Sequence, residues 1–190
     1  MEKKQNSAAP GLADTYRTAG WWQSATLSEL VTRLAATRPA DAAYVTEAGR
    51  FTWSDYDRAS DQIAAALIGA GFSVGERVAI ILPDGAAVHA ALIGAEKAGL
   101  IAVGIGAKAG DRELSHLLDR TGAKGLITHA VGSRNRPAGD LWAKMTSVCS
   151  SLRHHIVIPN FDTGSSAPIE VDGEIVSESL ECAESVRHKS

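Results

Sequence analysis

Apolar residues recur at helical spacing in several segments of the chain. The stripe from Leu27 to Leu34 follows an i, i+3, i+4, i+7 pattern, and Thr26 with Glu29 forms a capping-box sequence in front of it. A second stripe runs from Tyr56 to Leu67 and predicts a helix with Ser54 as its N-cap. Further helices are predicted over residues 86–98, 112–119 and 141–152.

Short apolar runs separate these predicted helices. The run at residues 77–82 is continuously apolar after Arg77, which is typical of a strand covered on both faces. Two short segments around Glu47–Gly49 predict an antiparallel hairpin. The remaining predicted strands are residues 100–103, 125–128 and 155–158. Because strands and helices alternate at crossover spacing, we expect a three-layer α/β fold with a largely parallel sheet and helices on both faces.

The two ends of the chain lack this pattern. Residues 1–24 predict an N-terminal arm, with a mobile tail over residues 1–13 and three aromatic residues that we expect to anchor the arm onto the core: Tyr16, Trp21 and Trp22. Residues 25–158 form the predicted α/β domain. Residues 159–190 are rich in Ser, Gly and acidic residues and predict a flexible acidic extension, with only residues 167–176 able to make a small hairpin.

Composition narrows the class of protein. The chain has 190 residues and a formal net charge of −3, and no basic face stands out, so we expect no nucleic-acid partner. Apolar runs are interrupted well before the 18 or so residues of a membrane span, so we expect none. No apolar run follows Lys3 and Lys4, so we also expect no signal peptide. Cys149 and Cys182 lie far apart without metal or redox spacing, which favours free thiols and a cytoplasmic location.

The glycine-rich segment Gly104–Gly110 is the most suggestive motif. It follows a predicted strand and precedes a predicted helix, which is the context of a dinucleotide-binding loop. Lys108 crowds this loop, however, and the next strand ends in Thr128 and His129 rather than in an acidic residue. A connecting loop is therefore favoured over a nucleotide-binding oxidoreductase, which remains an alternative.

Other candidate groups give weaker indications. His154 and His155 point to opposite faces of a strand and are poorly placed to share a metal ion, and His89 and His116 lie singly on helices. Gly164–Ser166 lacks the lysine of a phosphate-binding loop. No catalytic triad, nucleophile elbow or zinc-binding motif is found, so we predict no catalytic residue and no metal ligand.

The order and spacing of several segments together resemble the N-terminal part of an adenylate-forming, AMP-dependent acyl- or aryl-CoA synthetase. The segments are YRTAGWW at 16–22, FTWSDY at 51–56, GFSVGERVAIILPD at 71–84, AEKAGLIAV at 95–103 and EL at 113–114. The resemblance covers about Asp14 to Ile158. It implies a ligase that joins a carboxylic acid to ATP and passes the acyl group to CoA, with Mg²⁺ as cofactor. Fatty acid metabolism is among the roles that the resemblance implies.

The chain also departs from this family pattern. Lys108 takes the position of the family's arginine, so the resemblance implies that Lys108 contacts a CoA phosphate. A lysine keeps the positive charge of the arginine but cannot form its two parallel hydrogen bonds. The family's phosphate loop, metal-binding acid and catalytic lysine have no counterpart here. We therefore expect a piece that is inactive alone and needs the remainder of the synthetase, with homo-oligomer formation as a further expectation. A non-catalytic interaction module that kept the fold is the alternative.

Overall fold

The computed structural model describes residues 11–46, 49–132, 135–161 and 168–176, and helices and strands alternate through most of these ranges. The helices are α1 (Leu12–Thr18), α2 (Leu27–Thr37), α3 (Trp53–Gly69), α4 (Ala86–Lys97), α5 (Asp111–Thr121) and α6 (Ala138–Thr146). The strands are β1 (Ala42–Thr46), β2 (Gly49–Thr52), β3 (Arg77–Ile80), β4 (Ile101–Gly104), β5 (Gly125–Thr128), β6 (His154–Val157), β7 (Glu170–Val171) and β8 (Glu174–Ile175). Within the described residues, no helix is long and apolar enough to cross a membrane.

The main sheet has the strand order β4-β3-β5-β6-β7-β8. The first four of these strands are parallel, and Ile80 of β3 pairs with Gly104 on one side and with Ile127 on the other. β7 and β8 continue the sheet as an antiparallel hairpin next to β6. The predicted α/β fold with a largely parallel sheet is confirmed.

Two apolar clusters cover the two faces of this sheet. Val78 and Ile80 belong to the cluster that includes α2, α3 and α4, whereas Ala79 between them belongs to the cluster that includes α5 and α6. Successive side chains of a strand point to opposite faces, so the two clusters lie on opposite sides of the sheet. This arrangement gives the three layers expected from the sequence.

Close packing and a buried ion cluster join the helices of the first layer. A Cβ added to Gly94 of α4 would lie 2.8 Å from Cβ of Ile63 in α3, so the two helices approach closely at this glycine. Nearby, Lys97 Nζ donates to Oδ1 of Asp57 and to Oδ1 of Asp61, each at 2.7 Å. The Lys97 side chain is only 8% exposed, so these interactions are made largely out of contact with water.

Two predicted helix boundaries are wrong. α3 begins at Trp53 and its N-cap is Thr52, not Ser54, because Thr52 and Asp55 form a reciprocal capping box. α6 begins at Ala138 and ends at Thr146, before the predicted end at residue 152. The following turns still place two apolar side chains in the second cluster, those of Cys149 and Leu152.

The aromatic residues of the arm pack on one another rather than on the core. The Tyr16 ring lies 5.5 Å from the Trp21 ring and 5.3 Å from the Trp22 ring, measured between centroids. Trp21 is 74% exposed, and no residue of α1 is buried. The expected anchoring onto the core is therefore wrong. The predicted tail overlaps the start of α1, and its residues 1–10 lie outside the described residues.

The hairpin predicted within residues 167–176 is present and belongs to the main sheet. Ile169 is buried, and Asp172 Oδ1 accepts a 2.8 Å hydrogen bond from the backbone N–H of His155. The sheet therefore continues beyond residue 158, where we placed the domain boundary. Residues 162–167 and 177–190, which include Gly164–Ser166 and Cys182, lie outside the described residues, so the flexible extension remains a prediction there.

Candidate functional site

The strand order creates a crevice at the carboxyl ends of β3 and β5. β3 leads into α4 on one face of the sheet, and β5 leads towards α6 on the other face, so the two loops diverge. In open α/β sheets, ligands bind outside the carboxyl ends of the strands where loops diverge in this way. We therefore place the candidate site here.

A cavity of about 70 Å³ occupies this crevice. Its walls come from the ends of β3 and β5, from the loop after β4 and from the starts of α5 and α6. The lining residues are Ile81, Pro83, Ala107, Ala109, Leu114, Thr128, His129, Gly132, Arg136, Ala138 and Leu141. Most of these side chains are apolar, so the few polar ones determine what the cavity can recognise.

A charged cluster lies beside the cavity at the start of α5. Asp111 is the first residue of that helix, where a negative charge is favoured by the helix dipole. Its carboxylate pairs with Arg136 and with Lys144. Hydrogen bonds from Lys144 and Arg136 lower the pKa of Asp111. With one negative and two positive groups, the cluster carries a net charge of +1 next to the crevice.

Two buried polar residues, Thr128 and His129, line the cavity. His129 follows β5 directly, is 8% exposed, and its Nδ1 lies 3.0 Å from the carbonyl oxygen of Ile158. Its Nε2 has no hydrogen-bond partner among the described residues. The sequence had indicated this residue only as the end of a strand, so its role in the cavity was missed.

Thr128, the residue before His129, makes a second polar contact next to the cavity. The Thr128 hydroxyl is 2.9 Å from Nε2 of His155, and the His155 ring stacks on Trp142 with 5.1 Å between centroids. Burial lowers the pKa of His155, against an opposing effect of the Asp172 charge. Because the Thr128 hydroxyl and His155 Nε2 bind each other, neither polar atom is an open ligand contact.

The glycine-rich loop forms one wall of the crevice. Lys108 is exposed and stands between Ala107 and Ala109, which both line the cavity. A Cβ added at Gly104, Gly106 or Gly110 would meet no atom within 4 Å, and none of the three has a positive φ. A dinucleotide fingerprint needs its glycines for close approach and for a tight turn, and these positions do not meet that steric requirement.

The remaining candidate histidines lie elsewhere. His154 is partly exposed with Nδ1 at 2.9 Å from Asp172 Oδ2, whereas His155 is buried, so their predicted opposite orientation is confirmed. His89 packs beside Tyr44, and His116 is exposed on α5.

The residues of this site do not fit a magnesium ion. Across the described ranges, no three His, Cys, Asp or Glu side chains lie together in a way that could hold a metal. We therefore assign no step to Mg²⁺ on this part of the chain.

Comparisons with known proteins agree with this fold. The family model for the AMP-binding enzyme matches residues 31–184. A salicyl-AMP ligase / salicyl-S-ArCP synthetase of Mycobacterium tuberculosis is 33% identical over 126 residues, which cover 64% of this chain and 22% of that protein.

Solved structures show the same correspondence. The apo structure of Mycobacterium smegmatis MbtA matches with a TM-score of 0.65 and 28% identity, over 87% of this chain and 32% of that one. The anthranilate CoA ligase AuaEII, in complex with anthranoyl-AMP, matches with a TM-score of 0.60 and 26% identity, over 69% of this chain and 24% of that one. The chain thus spans between about a fifth and a third of the length of these relatives. The chain belongs to the AMP-binding enzyme family, and it corresponds to the N-terminal part of an adenylate-forming enzyme.

Proposed function

We propose that this chain supplies the N-terminal subdomain of a cytoplasmic ATP-dependent ligase that activates an aryl acid as its adenylate and transfers the acyl group to CoA. The match of the family model to residues 31–184 carries this proposal. The choice of an aryl acid is supported by two relatives above 25% identity, one named for salicylate and the other for anthranilate. The long-chain fatty acid CoA ligase that shares the fold is only 19% identical, so a role in fatty acid metabolism is less favoured.

The chain's own contribution is structural and electrostatic. Adenylation requires a carboxylate to attack the α-phosphate in line, with positive groups placed to neutralise the charge that develops. In the crevice, Arg136 and Lys144 are both paired with Asp111, so their charge is already partly neutralised. Since the family's phosphate loop and catalytic lysine are not matched in this sequence, we propose that the chain does not adenylate alone.

Lys108 is our proposed contact for a CoA phosphate. Its loop lies on one side of the cavity and Arg136 lines the same cavity, so two basic residues border the crevice. Phosphate groups are favoured near positive side chains, and Lys108 and Arg136 supply them here, whereas the N-terminus of α5 already carries Asp111 and Glu113. Lys108 would act in the thioester-forming step and not in adenylation.

Exposed apolar side chains support docking of the remainder of the synthetase. Val74 is 85% exposed and Ile101 is 47% exposed, and a backbone hydrogen bond from Ile101 to Glu76 holds their two segments side by side. Monomeric proteins rarely leave large apolar patches uncovered. A homo-oligomer formed through the same surface remains a prediction.

ATP–pyrophosphate exchange tests the proposed activity. The purified chain and the longer gene product that contains it are assayed with salicylate, anthranilate, benzoate and a set of fatty acids. We expect exchange only with the longer product, and faster exchange with the aryl acids. Exchange that follows the purified 190-residue chain would contradict inactivity of this part, and a preference for fatty acids would contradict the substrate class.

Lys108→Ala in the longer product tests the CoA contact. Loss of one charge-assisted hydrogen bond is expected to raise KM for CoA about tenfold and to leave pyrophosphate exchange unchanged. Arg120→Ala removes an exposed charge at the far end of α5 and is the matched control. Equal KM values for CoA in the two variants would contradict the proposed contact between Lys108 and a CoA phosphate.

A further inference from the structure

The two edges of the main sheet differ in how well they are protected against pairing with another chain. At one edge, β8 is two residues long and begins with Glu174. At the other edge, β4 has four residues, Ile101–Gly104, and none of them is charged. Proteins commonly protect an edge strand by making it very short or by placing charges on it. β4 has neither protection, so it is the edge of the described sheet that favours an added strand.

The backbone hydrogen bonds of β4 show which of its residues face outwards. The N–H groups of Ile101 and Ile105 donate to carbonyl oxygens of β3 and of the residue before it. Backbone groups of successive strand residues point to opposite edges, so those of Ala102 and Gly104 point away from β3. Among the described residues, no strand pairs with this outer side of β4. Two N–H donors and two carbonyl acceptors are therefore presented in a row.

The side chains of β4 are also suited to strand pairing. Ile101 is 47% exposed, and Val103 is half-buried beside the apolar cluster that includes α5 and α6. β-Branched side chains favour strands and pair well with one another across neighbouring strands. An added strand would therefore cover apolar side chains as well as bind the outward backbone groups.

The charges near the two ends of β4 are opposite in sign. Glu96 lies in the last turn of α4, just before β4, and the nearby Lys97 is already neutralised by two aspartates. The C-terminus of α4 adds the negative end of its helix dipole there. Lys108 is exposed and follows β4 in the chain. If the added strand is β4 of a second copy running antiparallel, the Lys108 end of each copy lies beside the Glu96 end of the other.

We propose that two copies of this chain associate through β4, which pairs antiparallel with β4 of the second copy about a two-fold axis at Val103. Ala102 of each copy then exchanges two hydrogen bonds with Gly104 of the other, and the two Val103 side chains lie opposite each other. Such a contact uses the same surface on both copies and closes as a dimer. The proposal does not depend on the proposed ligase activity.

The length of β4 limits the strength of this dimer. Four residues at about 3.3 Å each extend over about 13 Å. A stable interface buries about 800 Å² on each partner, and one short strand covers less than that. We therefore expect a weak, reversible dimer with a dissociation constant of about 100 µM.

Sedimentation equilibrium of the full 190-residue chain, over about 5 to 500 µM, measures this association. Gly104→Pro removes one outward N–H, and proline is tolerated where an edge strand faces solvent. Gly104→Ala is the matched control, because it keeps that N–H and its added Cβ would meet no atom within 4 Å. We expect the proline variant to dimerise at least about tenfold more weakly and the alanine variant to stay within about twofold of the parent chain.

Disulfide formation tests the register of the pairing. Val103→Cys and Ile101→Cys are compared in a Cys182→Ser background, in which the remaining Cys149 is buried. Opposite residues of a non-hydrogen-bonded antiparallel pair have Cα atoms about 4.5 Å apart, within the range of a disulfide. In the proposed register Ile101 lies opposite Ile105 of the other copy. We expect Val103→Cys to cross-link the dimer faster than Ile101→Cys, although Ile101 is the more exposed residue.

A charge exchange tests the orientation of the two copies. Lys108→Glu should weaken the dimer about two- to fivefold, the effect of an exposed ion pair. Adding Glu96→Lys to that variant should restore the affinity of the parent chain, because each end then meets the opposite charge again.

The proposal fails if the unmodified chain is still a monomer at about 500 µM, which would mean that the edge is covered by the remainder of the synthetase or by water. Equal dimerisation of Gly104→Pro and Gly104→Ala would place the interface elsewhere and also overturn it. Cross-linking of Ile101→Cys as fast as Val103→Cys would contradict the antiparallel register. The first outcome depends on the unmodified chain, so it remains decisive even if Gly104→Pro does not fold.

Discussion

The contact between α3 and α4 predicts a specific cost for adding one methyl group. In Gly94→Ala the new Cβ would lie 2.8 Å from both Cβ and Cγ2 of Ile63 and 3.0 Å from the carbonyl oxygen of Ser60. Ile63 and Ser60 are both fully buried, so neither has free space to move into. The two helices must therefore separate to accept the substitution.

The size of the effect follows from two opposing contributions. Overpacking a close-packed site costs about 1–3 kcal/mol, and we take the upper half of this range because no clash is with the free end of a flexible side chain. Replacing glycine by alanine inside a helix contributes about 1 kcal/mol in the favourable direction. We expect Gly94→Ala to lower the free energy of unfolding by about 1–2 kcal/mol.

Urea denaturation followed by circular dichroism measures this change. Gly69→Ala is the matched control, because Gly69 is an exposed residue of α3 whose added Cβ would meet no atom within 4 Å. The cost of Gly94→Ala should also be smaller in an Ile63→Ala background, where Cγ2 is absent. If Gly94→Ala is as stable as the parent chain, α3 and α4 separate without cost and the reasoning is refuted.

Two further predictions concern buried polar groups. Lys97→Met leaves two nearly buried carboxylates without their cation. We therefore expect urea denaturation to show a free energy of unfolding lower by about 3 kcal/mol. A loss below about 1 kcal/mol would mean that water replaces the lysine. The pKa of His155 in the folded chain is below its ordinary value of 6.5. Below pH 6.5 the unfolded chain therefore binds a proton at His155 more readily than the folded chain does, and the free energy of unfolding should fall as the pH is lowered from 6.5. Unfolding measured from pH 5 to 7.5 should show a shallower slope in His155→Gln, and an unchanged slope would assign the effect to other groups.

Local sequence patterns account for most of the sheet but not for its strand order. The apolar run of β3 predicts a strand covered on both faces, and β5 and β6 are also predicted as strands. All three lie side by side in the parallel part of the sheet. The placement of β4 and β5 on opposite sides of β3 depends on pairing between distant residues, which no local pattern contains. The crevice arises from that order, so its position could be inferred only once the order was known.

The start of α3 illustrates how two equivalent local patterns are resolved by the fold. Thr52 is followed by Asp55 and Ser54 by Asp57, so each pair has the spacing of a capping box. Asp57 instead binds Lys97 of α4 and accepts a hydrogen bond from the Thr32 hydroxyl of α2. Because those partners lie far away in sequence, the choice of Thr52 as N-cap could not be made locally.

The role of His129 shows the same limit at the candidate site. A polar residue directly after a buried strand indicates a ligand site, since the carboxyl ends of parallel strands bind ligands. That Nδ1 is occupied and Nε2 is not depends on the carbonyl of Ile158, which is 29 residues away. Sequence alone places His129 at the correct edge of the sheet but cannot give its hydrogen bonds.

The antiparallel hairpin of β7 and β8 has a practical consequence for dividing this protein into smaller units. Through pairs such as Val157 with Glu170, β7 protects one edge of β6, and Asp172 binds both His154 and the backbone of His155. A polypeptide shortened after Ile158 would retain the apolar β6 while losing its neighbour, and unpaired edge strands are templates for intermolecular pairing. Expression of this subdomain in soluble form therefore calls for a C-terminus beyond Val176 and not at the end of the last parallel strand.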